Sequence, residues 1–131
     1  MGKRTTSRRL AMQAIYQSEL SKTSIDEALT NLFDEEKLAE ETREFTSRLA
    51  EGVLDKKDEL DRKIKELSKN WELGRINMIN KSILMLALYE LIYEKDTPKA
   101  VVINEALELA KRYSDLESAK FINGILGSAV V

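Results

Sequence analysis

Apolar residues recur at helical spacings along most of the chain, and about seven segments show this pattern. The most apolar segment, residues 76–93, carries only two charges, Lys81 and Glu90. A helix that is apolar on almost every side has to be buried, so we expect this one at the centre of a bundle. With only 5 glycines and 1 proline, the 131 residues contain few helix breakers. We therefore predict an all-α fold, a compact bundle of about seven helices in a single domain spanning residues 1–131.

Local signals predict where several helices begin and end. The first helix is expected to begin near Ser7, whose hydroxyl can cap the first amides, and to end near Ser21. Ser24 and Glu27 have the spacing of a capping box, which predicts a short second helix.

A longer pattern runs from about residue 36 to Trp71. We expect Gly52 and the charged segment 55–58 to divide it into two helices. Pro98 cannot continue a helix, so another is expected over about 99–113, followed by a last helix near the carboxyl end.

Charge is distributed unevenly. The net charge is −2 overall, but residues 1–22 sum to +4 because Lys3, Arg4, Arg8 and Arg9 lie among them. A basic arm of about residues 1–8 attracts a polyanion locally. The alternatives are a solvated, frayed terminus or a targeting peptide, and the interruption at Gln13 argues against the latter. The longest apolar run elsewhere is far shorter than the roughly 20 residues that cross a bilayer, so we expect a cytoplasmic protein without a membrane contact.

The chain contains no cysteine and no histidine. Their absence removes the commonest general base, thiolate nucleophiles and nearly all transition-metal sites. The carboxylates recur at spacings typical of solvated helix faces. We therefore expect no catalytic residues, no metal and no cofactor.

A second candidate for binding is the segment 111–121, in which cations alternate with Tyr113 and Phe121. Single-stranded RNA is bound by cations that contact phosphates and aromatic rings that stack on bases. For Phe121 the pattern favours packing in the core over contact with a base. On the first helix, Arg9, Gln13 and Tyr16 fall within about 60° of one another and could form a binding face.

Five stretches occur in the order and spacing found in one known family: SRRLAMQAIYQ (7–17), FTSRLAEGV (45–53), SILMLALYEL (82–91), VVINEALELAKRYS (101–114) and KFINGIL (120–126). The chain resembles the NusB family of bacterial transcription antitermination factors over nearly its whole length. The resemblance implies two small helical subdomains and no catalysis. It also implies binding of the boxA sequence of nascent RNA together with NusE, a ribosomal small-subunit protein. Transcription elongation complexes with other Nus factors, which support complete transcription of ribosomal RNA operons, are the implied setting.

The resemblance, added to the residue patterns, gives a candidate site. The candidate RNA-binding residues are Lys3, Arg4, Arg8, Arg9, Gln13, Tyr16, Tyr113, Glu117, Lys120 and Phe121. The partner surface is expected around Asn80 and Lys81. Arg4 and Arg8 correspond to the family's arginine-rich motif, and both are expected to be exposed. Thr5 and Thr6 stand where relatives are often basic, which predicts fewer phosphate contacts.

Two other functions fit the same helical pattern. The fold also occurs as the N-terminal domain of a ribosomal RNA methyltransferase, although these 131 residues show no cofactor-binding domain. A helical protein–protein adaptor without specific RNA binding is the second alternative. Some relatives self-associate, so a homodimer is a further expectation.

Overall fold

The computed structural model describes residues 3–69 and 76–130, which form seven α-helices and no strand. The helices are α1 (Lys3–Ser21), α2 (Ile25–Glu35), α3 (Glu40–Asp55), α4 (Lys57–Leu67), α5 (Met78–Tyr93), α6 (Lys99–Tyr113) and α7 (Leu116–Ala129). The predicted all-α class and helix number are confirmed. Trp71, predicted at the end of the fourth helix, lies outside the described residues.

Several helix ends follow from local chemistry. The Ser24 hydroxyl accepts a hydrogen bond from the Glu27 amide, so the predicted cap of α2 is confirmed. Asn77 and Asp115 cap α5 and α7 in the same way. Each cap satisfies an amide that has no partner within its own helix.

Helix α5 is the centre of the bundle, as its composition predicts. Residues 82–88 of this helix are all buried, and the helix contacts α1, α3, α4, α6 and α7. Helices α1, α2 and α3 pack against one another, and α6 packs against α7. Helix α4 contacts α3, α5 and α7, and α1 also contacts α6 directly. This arrangement agrees with two small helical groups, joined through α5.

Helices α3 and α4 meet at Lys56, so the predicted division at the charged segment 55–58 is confirmed. Gly52 differs from its predicted part in that division, because α3 continues through it to Asp55. A Cβ atom at this position would overlap the ring of Tyr89 on α5. The glycine therefore permits a close approach of α3 to α5 instead of ending a helix.

Helix α1 begins at Lys3, four residues before the predicted start at Ser7. Residues 3–8, predicted as an arm, are consequently the first turns of a helix. Within the described part of the chain, no helix is both long and apolar enough to span a bilayer.

Candidate nucleic-acid interface

The exposed cation at the start of α1 rests on an aromatic ring. The Arg4 guanidinium lies 4.3 Å from the centroid of the Phe45 ring, and that of Arg48 lies 5.0 Å from the same centroid. Arg48 also forms an ion pair of 3.0 Å with Glu94. The buried Arg8 guanidinium also lies 5.7 Å from this centroid, and Arg4 and Arg48 are the two cations over the ring that remain exposed to solvent. This pair can present positive charge to a polyanion.

Arg8, in contrast, is not exposed as expected: its side chain is only 4% exposed. Its Nε and Nη2 atoms donate to both carboxylate oxygens of Glu90, at 2.8 to 3.1 Å, and Glu90 is itself buried in the middle of the molecule. Its Nη1 atom donates to Glu105 at 3.2 Å. A planar guanidinium suits such a two-oxygen contact, and these bonds leave Arg8 pointing inward. Its role in this structure is to join α1 to α5 and α6.

The residues between the two arginines also bind the rest of the protein. Thr5 donates its hydroxyl hydrogen to Glu105 at 2.6 Å. Ser7 donates to the backbone carbonyl of Thr42 at 3.0 Å. Thr5, at a position where the resemblance implies a basic residue, therefore anchors α1 to α6.

Arg9, Gln13 and Tyr16 lie on a partly exposed side of α1. The Arg9 Nη2 atom donates to both carboxylate oxygens of Glu36, each at 3.1 Å, and its Nη1 atom donates to Gln13 at 3.3 Å. Arg9 would have to exchange this ion pair for a phosphate in order to bind RNA. Lys3 is the first residue of α1, and its side chain lies outside the described part.

The turn between α6 and α7 presents a second group of polar and aromatic side chains. The Arg112 guanidinium lies 5.2 Å from the centroid of the half-buried Tyr113 ring. Glu117 and Lys120 are both exposed, as predicted for a binding surface. Phe121 differs from the others, because it is fully buried. Its ring is a core element of α7 and cannot stack on a base without unpacking that helix.

Hydrogen bonds from hydroxyl and amide groups hold this turn in shape. Asp115 accepts from the Ser118 amide at 2.7 Å, and Ser114 donates to the Ser118 hydroxyl at 2.9 Å. The Asn80 side-chain amide donates to the same hydroxyl, also at 2.9 Å. Asn80, predicted to touch a partner, is thus buried and links the start of α5 to the turn.

Lys81, the other predicted partner residue, is partly exposed. It forms an ion pair of 3.2 Å with Asp61 on α4. It is available to a partner only if that partner accommodates or replaces the Asp61 carboxylate.

The two candidate RNA-binding groups are connected by helix α6. Glu105 on α6 contacts Thr5 and Arg8 at the start of α1, and Tyr113 ends the same helix. Eight residues separate Glu105 from Tyr113, which is about 12 Å along an α-helix. A single-stranded RNA of a few nucleotides can span that length.

Three residues of this region were not candidates from sequence. Phe45 falls in the apolar pattern that runs from about residue 36 to Trp71, and Arg48 and Glu105 have the spacing of charges on solvated helix faces. Phe45 and Arg48 lie three residues apart, a spacing that brings side chains together on one helix face. Their contact with Arg4, and that of Glu105 with α1, depends on tertiary packing and has no local signal.

Among the residues that the structure describes, no group of three or more acidic side chains could hold a metal ion. The arrangement instead offers cations, aromatic rings and hydrogen-bonding groups. These features suit binding of an anionic polymer.

Comparison with known proteins identifies relatives along almost the entire chain. The NusB family model matches residues 5–130. The transcription antitermination protein NusB of Acetivibrio thermocellus is 45% identical over 130 residues, which cover 99% of this chain and 89% of the relative.

Two solved structures have the same fold as this chain over 98% of its length. NusB of T. maritima is 32% identical, with a TM-score of 0.88 over 98% of this chain and 89% of that chain. A structure of the antitermination factors NusB and NusE in complex with double-stranded RNA has a TM-score of 0.89, covering 98% of this chain and 96% of the matched chain. At 23% identity, the latter match shows the fold alone.

The matched relatives carry the name of a transcription antitermination protein and not that of an enzyme. The sequence motifs, the seven-helix arrangement and the family match agree along the chain. The chain belongs to the NusB family.

Proposed function

We propose that this protein is a non-catalytic transcription antitermination factor that binds boxA RNA together with NusE and thereby supports complete transcription of ribosomal RNA operons. The family match over residues 5–130 is the observation that carries the proposal. Such a factor acts on nascent RNA in the bacterial cytoplasm, in an elongation complex with other Nus factors.

The proposed RNA surface combines the start of α1 with the turn between α6 and α7. Arg4 and Lys120 are exposed cations, and Tyr113 offers a partly exposed ring beside Arg112. Cations for phosphates together with an aromatic face for a base are the components of single-stranded RNA binding. The surface extends along α1 through Arg9, Gln13 and Tyr16. On α7, the exposed Glu117 carboxylate lies three residues before Lys120 and can accept a hydrogen bond from a base amino group.

Arg8 and Phe121 enter this proposal as supports and not as contacts. Arg8 is occupied by two carboxylates, and Phe121 lies in the core. Each supports an element that carries an RNA contact: Arg8 lies one helical turn after Arg4, and Phe121 directly follows Lys120.

The surface predicts a moderate dependence on salt. If Lys3, Arg4, Arg112 and Lys120 each neutralise one phosphate, log affinity should fall with log salt concentration at a slope of about −3 for single-stranded RNA. A slope near zero would remove the electrostatic part of the proposal.

For NusE we propose the surface around the start of α5, with Lys81 at its exposed edge and Asn80 behind it. Asn80 donates to Ser118, so the proposed NusE surface is connected directly to the turn that carries Lys120. If NusE strengthens RNA binding, RNA must strengthen NusE binding by the same factor. Self-association into a homodimer would compete with these contacts if it used the same surface.

The test is an RNA titration at matched salt with four mixtures. The protein is titrated with boxA RNA and with a scrambled RNA of the same composition, each in the absence and presence of NusE. The proposal expects preference for boxA and tighter binding when NusE is present. If the protein binds NusE but binds both RNAs weakly and with equal affinity, it is instead a protein adaptor.

A further inference from the structure

The start of α1 is an unfavourable sequence for a helix end. The amino end of a helix carries partial positive charge. Acidic residues near this end therefore stabilise the helix, and cations destabilise it. The first turn of α1 contains no acidic residue, whereas Lys3, Arg4, Arg8 and Arg9 all lie within its first seven residues. Contacts from other helices must therefore keep these turns folded.

Glu105 provides such a contact from α6. Its Oε1 atom accepts hydrogen bonds from both the Thr5 hydroxyl, at 2.6 Å, and Arg8 Nη1, at 3.2 Å. Thr5 and Arg8 are three residues apart, so one carboxylate oxygen joins the first turn of α1 to the second. Only 18% of the Glu105 side chain is exposed, and so solvent screens these bonds less than it screens bonds on an open surface.

Helix α3 also supports the same two turns. Arg4 lies over Phe45, and Ser7 donates to the Thr42 carbonyl. Arg4 is therefore held in place only while α1 remains folded between α3 and α6.

We propose that Glu105 is a positioning residue for RNA binding: it holds the first two turns of α1 so that Arg4 can contact an RNA phosphate. This inference rests on the proposed function. It predicts that removing Glu105 weakens RNA binding. Charge alone predicts the opposite, because a carboxylate near an RNA surface repels phosphates and its removal should tighten binding.

Glu108 gives a matched control on the same helix. It lies three residues after Glu105, is 60% exposed and forms only a loose pair of 3.7 Å with Lys111. Glu105→Ala and Glu108→Ala remove the same charge and leave the same residue. If charge alone matters, both should tighten binding to a similar extent.

The experiment measures affinity for boxA RNA at several salt concentrations for the wild type and both variants. We expect Glu108→Ala to bind as tightly as the wild type or slightly more tightly. Glu105→Ala should bind about fivefold more weakly, if the competent form of α1 falls to about a fifth of the molecules. The salt slope of Glu105→Ala should stay close to that of the wild type, because the bound form still makes the Arg4 contact and only the population of the competent form has fallen. Arg4→Ala, which loses that phosphate contact, should instead make the slope shallower by about 0.7.

A second pair of variants leaves the charge unchanged. Thr5→Val removes the hydroxyl that donates to Glu105, and Thr6→Val is its neighbour control. We expect Thr5→Val to weaken RNA binding by about twofold, if the competent form falls to about half of the molecules while Arg8 still bonds to Glu105. Thr6→Val should leave binding unchanged. This pair decides the question if Glu105→Ala fails to fold.

Hydrogen exchange in the protein without RNA gives an independent readout. The amides of residues 7–9 should exchange faster in Glu105→Ala than in Glu108→Ala, since they make the first hydrogen bonds of α1. In an Arg4→Ala background, Glu105→Ala should have no further effect on RNA affinity.

Two results would overturn the inference, and they are distinguishable. If the wild type prefers boxA but Glu105→Ala binds as tightly as Glu108→Ala, the positioning role is refuted and the proposed function stands. A wild type without preference for boxA would refute the proposed function, and this inference with it.

Discussion

The start of α1 and the turn between α6 and α7 both present cations, but different forces hold them. The start of α1 is held by charged contacts with residues far away in sequence, of which Arg8 with Glu90 is the most buried. The turn is held by hydrogen bonds among nearby residues, one of them to the Asp115 carboxylate, and by a bond from the distant Asn80. Loss of a buried contact at the start of α1 therefore changes stability and binding together, whereas the exposed cations of both regions allow the two to be separated.

The largest effect is expected from Arg8→Ala. It would leave the buried Glu90 carboxylate without its guanidinium partner, which should lower the free energy of unfolding by about 3–5 kcal/mol. Urea unfolding measures this value, and Lys120→Ala is the control, with a change within about 0.5 kcal/mol. Arg8→Met combined with Glu90→Gln should recover part of the loss. If Arg8→Ala costs under about 1 kcal/mol, the two regions do not differ in the way described.

Asn80→Ala tests the distant bond of the turn and should cost less. Its side-chain amide donates to Ser118, whose hydroxyl also accepts from Ser114, so the loss should be about 1–2 kcal/mol. Asn123→Ala, an exposed asparagine on α7, is the matched control and should leave stability nearly unchanged. Equal unfolding curves for the two variants would argue that the turn does not depend on α5.

RNA affinity should respond to the exposed cations without a matching change in stability. Arg4→Ala is expected to weaken binding of boxA RNA by about tenfold, the loss of one charge-assisted contact. Lys120→Ala should weaken it by about threefold, because its flexible ammonium makes a less directional contact. Both should change the free energy of unfolding by less than about 1 kcal/mol. A large melting shift in Lys120→Ala with unchanged affinity would reverse the roles assigned to the two regions.

The smallest effect concerns the opposite end of α1, where Lys57 on α4 forms an ion pair of 2.7 Å with Glu19. The hydrogen bond that Lys57 donates to the Glu19 carboxylate raises the pKa of Lys57 above its usual value. A raised pKa means that the stabilisation is complete below the ordinary pKa of lysine and is lost as the pH rises through the higher value. The lysine side chain is 37% exposed, so solvent limits the effect to below about 1 kcal/mol. Unfolding at pH 9 and pH 11 should show a smaller decrease for Lys57→Met than for the wild type.

Local signals in the sequence were sufficient for much of the fold. The Ser24 cap, the apolar segment that became α5 and the helix after Pro98 all depend on residues close together in the chain. The prediction that Gly52 ends a helix was wrong, because a glycine is needed there for the close approach of Tyr89 on another helix. The early start of α1 could not be predicted either, since Phe45 and Glu105 hold it from distant positions.

The candidate site was predictable only in part, for the same reason. Exposed residues such as Arg4 and Lys120 lie where the patterns and the family resemblance placed them. Arg8 has the same side chain as Arg4 and lies one turn away, yet Glu90, 82 positions later, draws it into the interior. Nothing near Arg8 in the sequence distinguishes a buried arginine from an exposed one.

The long separation between Arg8 and its partners has a consequence for synthesis of the protein. Helix α1 leaves the ribosome first, but Glu90 and Glu105 emerge only after most of the chain has been made. Contacts between distant residues form slowly because a long loop has to close. The first segment to be synthesised is therefore among the last to reach its final structure, and a ribosome that stalls before residue 90 would present a protein whose basic end has not yet been shaped.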